Sequence, residues 1–187
     1  MKTSNIKKYN SKGFTLVEMM VAVLIMSIAV VGMIVVSSSG IVNLRYLKDK
    51  MNAGYLAGEG IELAHNFRDS YIISPDSGGW DGFISATSGC EEGCTMDALY
   101  PGIVNSCSMT PDGPCQNIKV LNGVYTYGAT GAQDTKFIRV IKIIPITDGG
   151  NDEVLVESSV LWREGTKKYT ITSTGSLMNW LDAAPVL

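Results

Sequence analysis

Four cysteines are the residues of this chain best suited to a covalent or metal site. Three residues separate the first two, twelve separate the second from the third, and seven separate the last two, which gives Cys90, Cys94, Cys107 and Cys115. Zinc sites with four cysteines usually contain paired C-x2-C knuckles, and this chain has none. The spacing leaves disulfide formation and metal binding open, and the redox state of the compartment decides between them.

Other residues that could act in catalysis are few. His65 is the only histidine, and it lies among apolar neighbours such as Ala64 and Phe67, where a structural role is favoured over an active-site role. The acidic turn at residues 148–153 could hold Ca²⁺, but its spacing does not match an EF-hand loop, and Asp-Gly runs are common in turns. We therefore predict that the protein is not an enzyme, has no cofactor and has no metal site at the acidic turn.

Glu18 is the only charged residue in an apolar, proline-free run over residues 14–36. About 20 apolar residues in a helix cross the hydrocarbon core of a bilayer, so this run predicts a membrane-spanning helix. A carboxylate at the centre of such a helix costs about 2.5–3.5 kcal/mol, and somewhat less near its end. Glu18 could reach back to the interface or be protonated, but a positively charged partner would give it a role.

The segment before this run is basic. Residues 1–13 contain no acid and four lysines, Lys2, Lys7, Lys8 and Lys12. Positive charge is retained on the cytoplasmic side of a membrane, so the chain beyond the helix is predicted to be exported. The difference in charge between the two ends of the apolar run is reduced by basic residues just after the helix, namely Arg45, Lys48 and Lys50.

The sequence G-F-T-L-V-E at residues 13–18, behind a short basic leader, resembles the prepilin peptidase site of type IV pilins and pseudopilins. In that family a membrane peptidase cuts after the glycine, the new phenylalanine amine is methylated, and the apolar helix stays on the globular domain. The resemblance implies a cleaved leader at residues 1–13, a scissile bond between Gly13 and Phe14, and methylation of Phe14. It also implies three partners: the prepilin peptidase, other pilin subunits in a filament, and the inner-membrane assembly platform.

Two other interpretations of the N-terminal region stay open. One is a secretory signal peptide, for which residues 37–40 (S-S-S-G) could imitate the cleavage site, although the apolar region exceeds the usual length of about 7–15 residues. The other is an uncleaved anchor. If cleavage follows Gly13, the Phe14 amine is positive at neutral pH, and we expect Glu18 of a neighbouring subunit to pair with it and to act in assembly.

Export also bears on the cysteines. Thiols outside the cytoplasm oxidise, and each crosslink contributes a few kcal/mol to a loop too polar to bury its own core. We therefore predict two disulfides and no zinc. Three pairings of the four cysteines are possible, and the sequence does not choose among them.

Beyond the apolar run, hydrophobic residues recur every three or four positions, which indicates that the helix continues as an amphipathic helix. No proline interrupts residues 14–69, so we predict one continuous helix with a membrane-spanning or filament-core part, 14–40, and an amphipathic part, 41–69. Packing on the protein's own sheet is expected for residues 44–67, and packing between subunits for the earlier part. The predicted stripe consists of Ile41, Leu44, Leu47, Met51, Gly54, Gly58, Ile61 and Phe67.

The rest of the chain divides into two parts. Residues 70–123 are rich in glycine and proline and hold all four cysteines, which predicts a stapled loop region. Residues 124–187 contain four predicted strands, at 124–127, 137–146, 153–163 and 169–174, joined as an antiparallel meander with the second strand central and Pro145 near its end. The predicted fold is α+β: a long N-terminal α-helix packed on a C-terminal antiparallel β-sheet of about four strands, with a disulfide-stapled loop region between them.

Charge argues against binding to nucleic acid. The leader holds four of the 15 basic residues and none of the 18 acidic ones, so its removal changes the net side-chain charge from −3 to −7. An acidic surface repels phosphate, and basic residues outside the leader cluster only at 45–50 and 167–168. No direct binding of nucleic acid is expected.

The predicted function is that of a structural, minor subunit of a type IV pilus-like filament. Before assembly the chain would be a single-pass membrane protein with an extracytoplasmic globular domain, and after assembly a part of a cell-surface filament. The alternatives are a pseudopilin of a type II-like secretion system and a non-polymerising single-pass membrane protein with an extracytoplasmic binding domain. The sequence does not separate major from minor subunits and names no surface ligand.

Overall fold

A computed structural model describes residues 13–74, 76–100, 103–108, 115–146 and 152–180. The chain forms two compact units, Met1–Arg45 and Tyr46–Leu187. Two sequence predictions lie mainly outside the described ranges: the leader at 1–13, of which only Gly13 is described, and the acidic turn at 148–153.

Helix α1 runs from Leu16 to Ile73, close to the helix predicted for residues 14–69, and it passes from the first unit into the second. Every described residue of the first unit is exposed. Within the described residues α1 is the one helix long and apolar enough to cross a membrane. Length and composition therefore agree with the predicted membrane-spanning helix.

The second unit is α+β, as predicted, and its main sheet has five antiparallel strands in the order β2-β1-β6-β7-β8. Strand β6 lies between β1 and β7 and ends at Pro145, so it is central, with its proline at the end, as expected. A second sheet has the order β4-β3-β5. The strands are β1 Cys94–Met96, β2 Ile103–Ser106, β3 Lys119–Leu121, β4 Val124–Thr126, β5 Gln133–Asp134, β6 Ile138–Pro145, β7 Glu153–Glu164 and β8 Lys167–Met178.

The region predicted as a loop is more structured than expected. It contains helix α2, Gly79–Thr87, a 3-10 turn, Ser88–Cys90, and strands β1 and β2 of the main sheet. These strands have three and four residues, too few to show a period of two. Strand β1 pairs with distant β6, where Cys94 lies opposite Ile141, and β2 pairs with the other edge of β1. The disulfides predicted for this loop region are present, and the short helix and strands within it were not predicted.

The first predicted strand was also placed in the wrong sheet. Residues 124–126 form β4, which pairs with β3 in the second sheet and not with the meander. The connection is the two-residue turn Asn122–Gly123, and both residues have positive φ, 50° and 84°. An Asn-Gly pair with two positive φ angles is typical of a type I′ hairpin, because its twist matches that of the flanking strands.

The helix face that packs on the sheet differs from the predicted stripe. Leu47 and Met51 are more than half exposed, and the space beside Gly54 and Gly58 is open. Ile61 and Phe67 do contact the core. The buried face instead consists mainly of small residues and one leucine, namely Ala53, Leu56, Ala57, Gly60 and Ala64. Small side chains let the helix backbone approach the sheet, so size rather than hydrophobicity selects this face.

At Gly60 the helix lies so close to β7 that a Cβ atom would collide with the Ser158 hydroxyl. Beside it Arg139 of β6 is buried, with 1% of its surface exposed. Its Nη1 donates to the Leu56 carbonyl (3.3 Å) and to the Glu59 carboxylate (3.0 Å) of α1. Its Nη2 donates to the Met96 carbonyl of β1 at 3.0 Å. One guanidinium therefore joins α1 to two strands.

A buried carboxylate, Asp97, connects the two sheets. Its Oδ2 accepts hydrogen bonds from the Tyr127 N–H (2.7 Å) and the Thr126 hydroxyl (2.8 Å), and its Oδ1 accepts from the Leu99 N–H (2.8 Å). Burial alone would raise the pKa of Asp97, but these hydrogen bonds to the charged form outweigh burial and hold the pKa below its ordinary value of 3.8. The ionised carboxylate thus stabilises the folded state.

Acid should weaken this connection. A folded-state pKa below the unfolded one gives stability that is complete above the ordinary pKa and is lost as pH falls through the folded pKa, so wild type should lose stability below about pH 4. Asp97→Asn should lower the free energy of unfolding at neutral pH by about 1.5–3 kcal/mol. The free energy of unfolding of this variant should also fall less steeply than that of wild type as the pH is lowered. Urea unfolding from pH 3 to pH 7 measures both effects. Asp134→Asn, at an exposed carboxylate, is the control, and an equal loss in that variant would contradict the prediction.

Candidate processing and assembly site

The predicted scissile bond lies just before the start of α1. Gly13, Phe14 and Thr15 have no regular secondary structure, and the helix begins at Leu16. No atom lies within 4 Å of the position that a Cβ on Gly13 would occupy, and Phe14 is 78% exposed. A non-helical, exposed backbone is what a peptidase needs, so the local structure leaves this bond open to attack.

Thr15 caps the helix. Its hydroxyl oxygen accepts a hydrogen bond from the Glu18 backbone N–H at 3.3 Å. Thr15 and Glu18 have the S/T-x-x-E spacing of a capping box, in which the two residues satisfy backbone donors in the first turn. The negative charge of Glu18 in that turn is also favoured by the helix dipole. Sequence reasoning missed the role of Thr15, although the T-x-x-E spacing would have indicated it.

The Glu18 carboxylate is exposed in the isolated chain, and within residues 13–74 and the other described ranges it makes no ion pair. Its position in the first turn of a helix, surrounded by apolar side chains, fits a group that meets a cation from outside the chain. The arrangement can bind a positive charge. Nothing at residues 13–18 resembles a catalytic group paired with a base.

The four cysteines form two disulfides between consecutive cysteines, Cys90–Cys94 and Cys107–Cys115. The Cα–Cα distances are 4.9 and 5.2 Å, within the range that disulfides adopt. Cys90 and Cys94 are fully buried and belong to the core cluster with Phe83 and Ile141. All four sulfur atoms are used, which leaves no thiolate to bind zinc.

The two disulfides should contribute unequally to stability. Each closes a short loop, which corresponds to about 2–3 kcal/mol by loop entropy. Replacing Cys90 and Cys94 by alanine should cost more than replacing Cys107 and Cys115, because both members of the first pair are fully buried and leave the larger cavity, whereas Cys115 is half-buried. Thermal unfolding of the two double variants measures the difference.

Thiol titration of the denatured, exported wild type should find no free thiol, and four free thiols would contradict the assignment.

Other candidate groups are accounted for by the fold. His65 is half-buried on α1, as its sequence neighbours suggested. A groove is lined by Leu63, Phe67, Met96 and Asp97. The Asp97 carboxylate accepts hydrogen bonds from other residues of the protein, as described above, so its position in the groove has a structural explanation. The acidic turn lies mainly outside the described residues. No catalytic constellation forms within the described ranges.

Comparison with known proteins gives one positive result, at the N-terminus. Residues 8–34 match the family model described as the prokaryotic N-terminal methylation motif. This motif is the signature of type IV pilins and pseudopilins, which are structural proteins. No curated protein and no solved structure matches the chain.

Proposed function

We propose that this protein is a minor subunit of a type IV pilus-like filament, cut by the prepilin peptidase between Gly13 and Phe14 and assembled through α1. The observation that carries the proposal is the methylation motif at residues 8–34, which includes the beginning of the exposed apolar part of α1. The motif supplies the peptidase site, and the helix supplies a segment that can rest in lipid before assembly and pack against other subunits afterwards.

The second unit supports assembly in another way. Leu47, Met51 and Tyr55 lie on the side of α1 away from its buried face and are 56, 57 and 72% exposed. Three large apolar side chains on one exposed face are unusual in a protein that stays monomeric, and they favour an interface with other chains. We propose that this face contacts neighbouring subunits, in place of the intramolecular packing expected from the sequence.

Two alternatives share the motif. A pseudopilin of a secretion system would be processed identically and would form a short filament, and a non-polymerising membrane protein would be processed and remain in the bilayer. The proposed location is the membrane before assembly, with the globular domain outside the cytoplasm, and a surface filament afterwards. The proposed partners are the prepilin peptidase, other pilin subunits and the inner-membrane assembly platform.

Intact-mass analysis of the purified chain tests the proposal. The mature protein should begin at Phe14, be lighter than the precursor by the mass of residues 1–13, and carry one methyl group on its N-terminus. Gly13→Leu should block cleavage, because the substitution places a bulky side chain at the scissile bond. Gly40→Leu is the matched control, since Gly40 also lies in open space. It should be cut normally.

The same preparations separate the alternatives. Mature chain in sheared surface filaments supports a pilus subunit, and mature chain found only in membranes supports a pseudopilin or the non-polymerising protein. An N-terminus near Gly40, or no cleavage in cells with an active prepilin peptidase, would overturn the proposal.

A further inference from the structure

Five exposed basic residues lie at the end of the second unit where its chain begins, and we refer to them as the basic end. Two are on the first turns of α1 in this unit and three are at the β7–β8 hairpin: Lys48, Lys50, Arg163, Lys167 and Lys168. Within the described residues none of the five makes an ion pair. The filament function proposed above does not use them.

Aromatic contacts bring the two groups together. The β7–β8 hairpin turns at Gly165, which has φ 59°. Below the turn, Trp162 lies opposite Tyr169, and their rings stack at 5.4 Å. Tyr169 also contacts Tyr46, with ring centroids 5.0 Å apart, and Tyr46 immediately precedes the turn of α1 that carries Lys48. The hairpin therefore packs beside the first turns of α1 in the second unit.

Some charges at the basic end repel one another. Arg163 lies directly opposite Lys168 across the hairpin. Like charges in facing positions of an antiparallel pair lower stability. Glu164 faces Lys167 and offsets one charge, and the nearby Asp49 is already paired with Lys136. The basic end thus has an excess of positive charge that the domain itself does not neutralise, whereas the mature chain as a whole carries a net negative charge.

We propose that the basic end binds the anionic headgroups of the bilayer that holds the apolar run of the same chain. Only nine residues separate Val36, the last residue of that run, from Tyr46, so the basic end cannot move far from the lipid surface. Phospholipid phosphates attract exposed lysine and arginine side chains, and the acidic remainder of the domain is repelled. The unassembled subunit would therefore rest with this end against the membrane. The inference requires from the proposed function only that the apolar run lies in a bilayer.

Hydrogen exchange on the full-length, uncleaved chain in vesicles tests the proposal. One set of vesicles contains phosphatidylcholine alone, and the other an equal mixture with phosphatidylglycerol. Amides of residues 165–168 should exchange more slowly in the anionic vesicles, and added salt should remove the difference. Lys167→Gln with Lys168→Gln should reduce the protection by about fivefold for each basic residue removed. Because cleavage and filaments are not involved, a negative result would leave the proposed function untouched.

Two control variants sharpen the test. Lys167→Arg with Lys168→Arg keeps the charge and should keep the protection. Lys142→Gln removes a charge from the middle of β6 and should leave the protection unchanged. Equal exchange in both kinds of vesicle would overturn the proposal. So would protection that follows the protein-to-lipid ratio and not the lipid charge, because it would assign the surface to a neighbouring copy of the chain.

Discussion

Glu18→Gln chains are expected to be cut after Gly13 as efficiently as wild type and then to be depleted from filaments by at least about tenfold, the equivalent of 1.4 kcal/mol. Cleavage should survive because Gly13 and Phe14 are exposed and lie outside the helix, so the peptidase can reach the bond whatever residue 18 is. Incorporation should fail because the mature Phe14 amine would lose its proposed partner.

Charge arithmetic gives the size of this effect. Burying the positive amine without a partner in an apolar filament core is unfavourable, and so is burying the Glu18 carboxylate without a partner. Two opposite charges about 4 Å apart attract by roughly 4 kcal/mol at an effective dielectric of 20, which offsets much of the cost of burying both. The Thr15 cap holds Glu18 in the first turn of α1, so a neighbour's amine would meet the carboxylate at a fixed height along the helix. The pair would then set the axial position of each incoming subunit.

The comparison needs wild type and variant in one preparation. Quantitative mass spectrometry of sheared filaments and of membranes gives the incorporated fraction of each mature chain. Glu62→Gln, which removes an exposed carboxylate from the same helix inside the second unit, should incorporate normally. Normal incorporation of processed Glu18→Gln would show that this charge does not direct assembly.

Arg139→Ala is expected to have the largest effect on folding, a loss of about 3–5 kcal/mol from the free energy of unfolding. Removing the side chain leaves a cavity, and it also leaves the Leu56 and Met96 carbonyls without their guanidinium donor. Domains of this size are typically stable by only about 5–15 kcal/mol, so the variant should be partly unfolded at 37 °C.

Urea unfolding of the full chain in detergent micelles, followed by tryptophan fluorescence, measures the loss. Lys142→Ala is the matched control on the same strand, because Lys142 is only partly buried and should change stability by less than about 0.5 kcal/mol. Glu59→Gln should fall between the two, since the amide can still accept a hydrogen bond from Arg139. A loss in Arg139→Ala no greater than that in Lys142→Ala would refute the role assigned to this guanidinium.

The features that the sequence predicted well are those with a long repeating pattern. The apolar run extends over more than twenty residues, and β7 alternates through Val154, Val156, Val160 and Trp162, all of which are buried. Over such lengths hydrophobic periodicity outweighs local exceptions. The central position of β6 followed for a similar reason, because its residues are apolar on both faces.

The features that were missed depend on distant contacts or on size. Strand β1 has three residues and exists because Cys94 pairs with Ile141 far along the chain. The buried face of α1 is selected by the small residues Ala57 and Gly60, which a search for large apolar residues passes over. The turn at Asn122–Gly123 could have been predicted from the sequence, because Asn-Gly between two short apolar segments is a strong hairpin signal. The roles of Arg139 and Asp97 could not be predicted, because both side chains form hydrogen bonds with residues that are distant in sequence.

The order of the disulfides has a consequence for biogenesis. If the N-terminal helix is held in the membrane, the rest of the chain crosses it from N- to C-terminus, and each bridge joins two cysteines that arrive one after the other, with none between them. Cys90 can be oxidised with Cys94 before Cys107 has emerged, so the nearest available thiol is always the native partner. Maturation of this chain therefore needs an oxidant but no thiol–disulfide exchange to correct wrong pairs.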